Sequence, residues 1–115
     1  MSDDGSGGLG DLLRRAMEAK SRIEQIQQET ARRTAEGAAG GGAVRVVANG
    51  AGEVVSITIE TSLLSTGDAE MIQDLTTAAV NVALRAARQI VSEAMGQAAG
   101  GLGLGFGMDP GAGDG

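Results

Sequence analysis

The 115-residue chain has no cysteine, no histidine, no tryptophan and no tyrosine, and Phe106 is its one aromatic residue. Without cysteine there is no disulfide framework and no thiolate ligand for a metal. Without histidine the commonest general base and the commonest metal ligand are both missing. Nucleophile pairs of the Ser-His or Cys-His kind and zinc centres of the usual kind are therefore excluded. A carboxylate-only site is chemically allowed, but no cluster of acids in the sequence suggests one, so the chain reads as a non-enzyme without cofactor, metal or small-molecule substrate. The near absence of aromatics argues against stacking on single-stranded nucleic acid. Long apolar runs are missing too: the longest uncharged stretch, Ala94 to Met108, is short and glycine-rich, so no membrane span is expected. The acidic start, Met1-Ser2-Asp3-Asp4, lacks the apolar core of a signal peptide. Together these features point to the cytoplasm.

The clearest structure is written between Val44 and Glu60. Val44, Val46, Val47, Val54, Val55, Ile57 and Ile59 are β-branched and suit a pleated surface. They are split by Asn49-Gly50-Ala51-Gly52, where Asn-Gly supplies residues that tolerate positive φ in a hairpin turn. Val44, Val46 and Ala48 alternate with Arg45, Val47 and Asn49, and Val55, Ile57 and Ile59 alternate with Ser56, Thr58 and Glu60. Two strands alone are marginal in water, so the rest of the chain must cover them. Thr34 to Ala38 is expected as a short edge strand, reversed into the hairpin by Gly40-Gly41-Gly42.

A helix is expected from Leu9 to about Arg33. Leu12, Ala16, Ala19, Ile23, Ile26 and Thr30 form a heptad-like seam, which Leu9, Leu13 and Met17 widen. Residues 1–8 read as a disordered leader. Gly5 to Gly10 fits a GxGxxG spacing, but no strand precedes it, so nucleotide binding is not supported. A second helix is expected from Ala69 to Met95, started by Thr66 or Asp68 as N-cap. Ile72, Leu75, Ala79, Val82, Ala86 and Ile90 make one apolar stripe on it. Val80, Leu84, Ala87, Val91 and Met95 make another. A small monomer cannot bury both, so the first stripe is assigned to the sheet and the second to a homodimer interface. Residues 96–115, with nine glycines, read as a flexible tail after a single domain at 9–95.

The net charge of −6 hides strong segregation. Arg14, Arg15, Lys20, Arg22, Arg32 and Arg33 stand against Glu18, Glu24 and Glu29 on the first helix. That segment carries +6 − 3 = +3, leaving −6 − 3 = −9 for the remainder. Two readings follow. The pairs Arg14–Glu18, Glu18–Arg22, Lys20–Glu24 and Glu29–Arg33 are spaced i,i+4 and would neutralise one another on a solvent face. Alternatively the stripe meets a polyanion.

The order of features resembles the YbaB/EbfC family of bacterial nucleoid-associated proteins. The resemblance rests on Gly8-Leu9-Gly10-Asp11-Leu12-Leu13, the glycine-rich turn before Val44-Arg45-Val46, and Asn49-Gly50. It continues through Val55-Ser56-Ile57-Thr58-Ile59, Ser62-Leu63-Leu64, Glu70-Met71-Ile72-Gln73-Asp74-Leu75 with Asn81 beyond, and Gly105-Phe106-Gly107-Met108. It implies an α+β protomer, helix, three-stranded antiparallel sheet, helix, paired into a tweezers-like homodimer. It also implies binding of double-stranded DNA by helix residues, and a role in nucleoid organisation and gene expression. Arg14, Arg15, Arg22, Arg32 and Arg33, with Arg85 and Arg88 of the second helix, are the candidate phosphate contacts. The chain departs from the family pattern at Thr61, where proline is common. The second reading is a dimeric adaptor that binds another protein through its helix faces or tail.

Overall fold

The computed structural model describes residues 3–101, in the order α1 (Asp3–Arg32), β1 (Thr34–Ala39), β2 (Val44–Asn49), β3 (Val54–Ile59), α2 (Thr61–Leu64) and α3 (Ala69–Gly101). The α+β arrangement is the expected one. Residues 1–2 and 102–115, where parts of the leader and tail were expected, lie outside the described residues.

Both long helices overrun their expected bounds. α1 starts at Asp3 instead of Leu9, inside the stretch read as a disordered leader, and α3 continues past Met95 to Gly101. Extending an existing helix by one residue is far easier than nucleating one. No proline intervenes, so each glycine costs only about 1 kcal/mol. The start of α3 matches expectation: the Asp68 carboxylate accepts from Met71 N–H at 3.0 Å, while Thr66 Oγ1 accepts from Asp68 N–H at 3.2 Å. α2 was not anticipated. It is a single turn that seats Leu63 in the core.

The sheet has the order β1-β2-β3 with both pairs antiparallel. Val44, Val46 and Ala48 point inward and are fully buried, as their alternation requires. They meet Ala79, Ala83 and Ala87 of α3, also buried. This corrects the reading of α3. The stripe on the sheet runs through Ala79, Ala83 and Ala87, between the two larger stripes, and Val82 is solvent-exposed. Alanine lets the helix press onto β1 until backbone meets backbone: a Cβ on Gly37 would lie 2.3 Å from Ala83 N and 2.5 Å from Ala79 O.

The hairpin loop also differs from its expected form. Neither Asn49 nor Gly50 has positive φ; that conformation falls on Gly52. The Asn49 side-chain carbonyl accepts from Ala51 N–H (3.0 Å) and Glu53 N–H (3.1 Å), building the loop as an Asx turn. Gly50 is required for a different reason. A Cβ there would sit 2.2 Å from Thr30 O, because the end of α1 rests on it. Gly50 N–H in turn donates to Arg33 O at 3.0 Å, satisfying a carbonyl just past the helix end.

An apolar surface on β3 stays uncovered. Val44 pairs with Ile59 and Val46 with Ile57, and directly opposed residues share a face. A register shift at Val47/Ala48 brings Val54 opposite Ala48. The core face therefore continues onto β3, yet Val54, Val55 and Ile57 are 40%, 57% and 46% exposed. α3 lies over β1 and β2 and hardly reaches β3.

Candidate nucleic-acid interface

All seven candidate arginines are solvent-exposed. Four lie on α1 and Arg33 is the first residue past its end; they fall into two rows. Arg15 and Arg22 project within about 20° of each other, with Arg33 lining the same cleft as Arg22, and Arg14 and Arg32, five turns apart, project in the same direction. Each row is about 27 Å long, from 18 residues at 1.5 Å. The first row flanks the seam that packs on α3. Arg22 and Arg33 line a cleft of about 350 Å³ with Ile26, Glu29, Thr30, Ala94, Gln97 and Ala98. The second row faces away from α3.

The expected i,i+4 pairing is absent. Among the described residues the ion pairs are Arg14–Asp11, Arg15–Asp11 at 2.9 Å and Arg45–Glu36 at 3.3 Å. Asp11 thus holds both arginines of the first turns, and it, not Glu18, is their partner. Arg22, Arg32 and Arg33 form none of these pairs. Exposed pairs of this kind contribute at most about 1 kcal/mol, so even Arg14 and Arg15 can exchange a carboxylate for another anion.

Arg85 and Arg88 sit on α3 about 200° and 140° around from Ala83, opposite the buried stripe. They point away from the sheet and form none of the ion pairs above. Arg45 was not among the candidates. It alternates with buried Val44 and Val46, and so lies on the outer sheet face beside Glu36. Its strand position was readable, but a cation paired across strands gave no functional signal.

The residues assigned to a dimer interface are divided by the fold. Ala87, 1% exposed, belongs to the protomer core. Val80 and Leu84 are half-buried against that core. Val91 and Met95 line a second cleft with Gln27, Thr30, Ala31 and Gly50. The i,i+4 stripe was real, but α1 and the sheet claim much of it. β3 carries an apolar face that the sequence-assigned stripe does not include, and it is uncovered.

Among the described residues no helix is long and apolar enough to cross a membrane, and no group of three or more acidic side chains is placed to hold a metal ion.

Residues 6–102 match the model of the YbaB/EbfC DNA-binding family. The chain is 42% identical over 96 residues to a nucleoid-associated protein of Pelotomaculum thermopropionicum, covering 84% of this chain and 91% of the relative. It is 41% identical over 96 residues to a nucleoid-associated protein of Desulfotalea psychrophila, with the same coverages. Among solved structures it is similar to an uncharacterized protein, HP0035, from Helicobacter pylori, with a TM-score of 0.54 and 30% identity over 64% of this chain and 86% of that one. With most of its length matched by the family model, and relatives of about the same span, the chain belongs to the YbaB/EbfC DNA-binding family.

Proposed function

We propose that this protein is a nucleoid-associated DNA-binding protein that grips duplex DNA through phosphate contacts from α1, with little readout of bases. The observation that carries the reading is the pair of exposed arginine rows along α1 and its carboxyl end, in which Arg22, Arg32 and Arg33 form none of the ion pairs among the described residues, in an otherwise acidic chain. A row of about 27 Å matches about eight base-pair steps of one strand at 3.4 Å each. Phosphate contacts position a protein without specifying sequence, and arginines outnumber the amides, Gln25 and Gln28, that lie along the Arg14–Arg32 row. Arg85 and Arg88 of α3 are a secondary set. The names of the relatives set the place of action at the nucleoid.

The test is a gel-shift series of duplex DNA across salt, with the native chain and with Arg15, Arg22 and Arg33 replaced by alanine. Each lost phosphate contact should lower the log–log salt slope by about 0.9, or about 2.7 per chain for the triple variant. Absence of any shift at low salt removes the reading, and an unchanged slope removes this row from it.

The binding unit is a homodimer in which the β3 face, Val54, Val55 and Ile57, meets its copy. The continuity of this face with the core supports that arrangement, since apolar surface of this kind marks interfaces. Half-buried Val80 and Leu84 are the members of the sequence-assigned stripe still open to share in it. Light scattering at micromolar concentration should give twice 11.4 kDa. Ile57→Asp should reduce the mass to that of one chain with the fold retained. A native chain that scatters as a monomer contradicts the pairing.

A further inference from the structure

Ala94 and Ala98 continue the stripe of Ala83 and Ala87 along α3, all four projecting within about 60°. Over the sheet these small side chains let backbone meet backbone. Farther along, the neighbour is α1, and the same small side chains leave the seam open. Packed helix axes stand about 8–10 Å apart, a gap that alanine does not fill. The result is a cleft of about 350 Å³, the size of a small-molecule site and not of a single water. Half-buried Ile26, Ala94 and Ala98 make its apolar lining, joined by the buried Thr30.

Arg22 on α1 and Arg33 just past it bound this lining, about 16 Å apart along the axis. Neither forms an ion pair among the described residues, and Glu29, which lies between them, forms none either. Both arginines are long and exposed, so their heads can close that gap to the span of one small ligand. A guanidinium presents two parallel N–H groups that match phosphate oxygens. Two of them bounding an apolar slot suit a ligand with a phosphate on either side of an apolar body. Glu29 accepts hydrogen bonds, and Gln97 on the α3 wall both donates and accepts, so that body should have apolar faces and a polar edge. Inorganic phosphate would leave the apolar lining bare, and an aliphatic dianion would leave Glu29 and Gln97 unmatched. A nucleoside phosphorylated on both its 3′ and 5′ oxygens meets each requirement. We propose that the cleft between α1 and α3 binds a nucleoside bisphosphate, its phosphates on Arg22 and Arg33 and its base over Ile26. Because Arg22 and Arg33 also belong to the row assigned to DNA, ligand and DNA compete; the competition, but not the site, rests on that reading. The same pair of phosphates flanks a nucleotide within a strand, so the decisive measurement contains no DNA.

Titration calorimetry on the full chain at low salt tests it with adenosine 3′,5′-bisphosphate and AMP. The bisphosphate should bind at least about tenfold more tightly than AMP, since one charge-assisted contact is worth about that factor or more. Equal affinities, or no binding of the bisphosphate, overturn the proposal. Ala94→Leu and, about one turn on, Ala98→Leu fill the cleft while leaving both arginines in place. Whichever keeps the native circular dichroism should lose bisphosphate affinity at least about tenfold, and native affinity in a folded variant overturns the placement. In the gel shift at constant ionic strength, saturating bisphosphate should raise the protein concentration needed to shift duplex DNA, and an unchanged shift removes the competition. Absence of any DNA shift removes the DNA reading, while the calorimetry decides the site by itself.

Discussion

α1 and α3 are nearly equal in length, 30 and 33 residues, and nearly opposite in use. α3 meets the sheet through alanines so small that the β1 backbone comes within reach of its own. α1 carries five of the nine basic residues, with Arg33 just past its end, and among the described residues it packs on the rest of the protomer through its second half. Side-chain size accounts for the difference. Small residues give up individual apolar area but bring whole surfaces together, whereas long charged residues hold neighbours off and keep their heads in water. One helix is built to be a floor and the other an arm.

The comparison breaks most readily at the floor. Gly37→Val would force atoms into the space occupied by Ala83 N and Ala79 O, and it should cost more than about 3 kcal/mol, because backbone cannot move aside as a side chain can. A thermal melt followed by circular dichroism reads this; an unchanged midpoint would mean that the alanine stripe does not hold the sheet. Val46→Ala, opposite the same stripe, should cost about 2 kcal/mol by leaving a cavity, measured by denaturant titration. Asp11→Asn on the arm should change stability by less than about 0.5 kcal/mol. Freed of their carboxylate, Arg14 and Arg15 should then shift DNA at a lower protein concentration than the native chain requires. If that substitution weakened the shift, the arm would not be reading charge.

Much of the fold was legible because its signals are local. The alternation around Val44, Val46 and Ala48 gave the inward face of β2, and Asp68 gave the start of α3. What stayed hidden depends on distant residues meeting. Gly50 reads as a turn residue, and only the approach of Thr30 shows that it is a contact residue. Ala79, Ala83 and Ala87 carry little hydrophobic signal, so the larger residues on either side drew the stripes away from them. The exposed face of β3 was invisible for a related reason: a good strand pattern says which face is apolar, not whether anything covers it. The arginines were visible as charges, but their partner Asp11 lies at i,i+3 and i,i+4 on the amino-terminal side, away from the glutamates that spacing suggested.

The contact between Gly50 and the end of α1 has a mechanical consequence. Thr30 is the pivot of a lever whose free end lies past Leu9, about 31 Å away along the helix. A tilt of 5° at that pivot would swing Leu9 through nearly 3 Å, about the length of a hydrogen bond. The reach of the arm, and with it the spacing of the charges it carries, is thus fixed by the one side chain that Gly50 does not have.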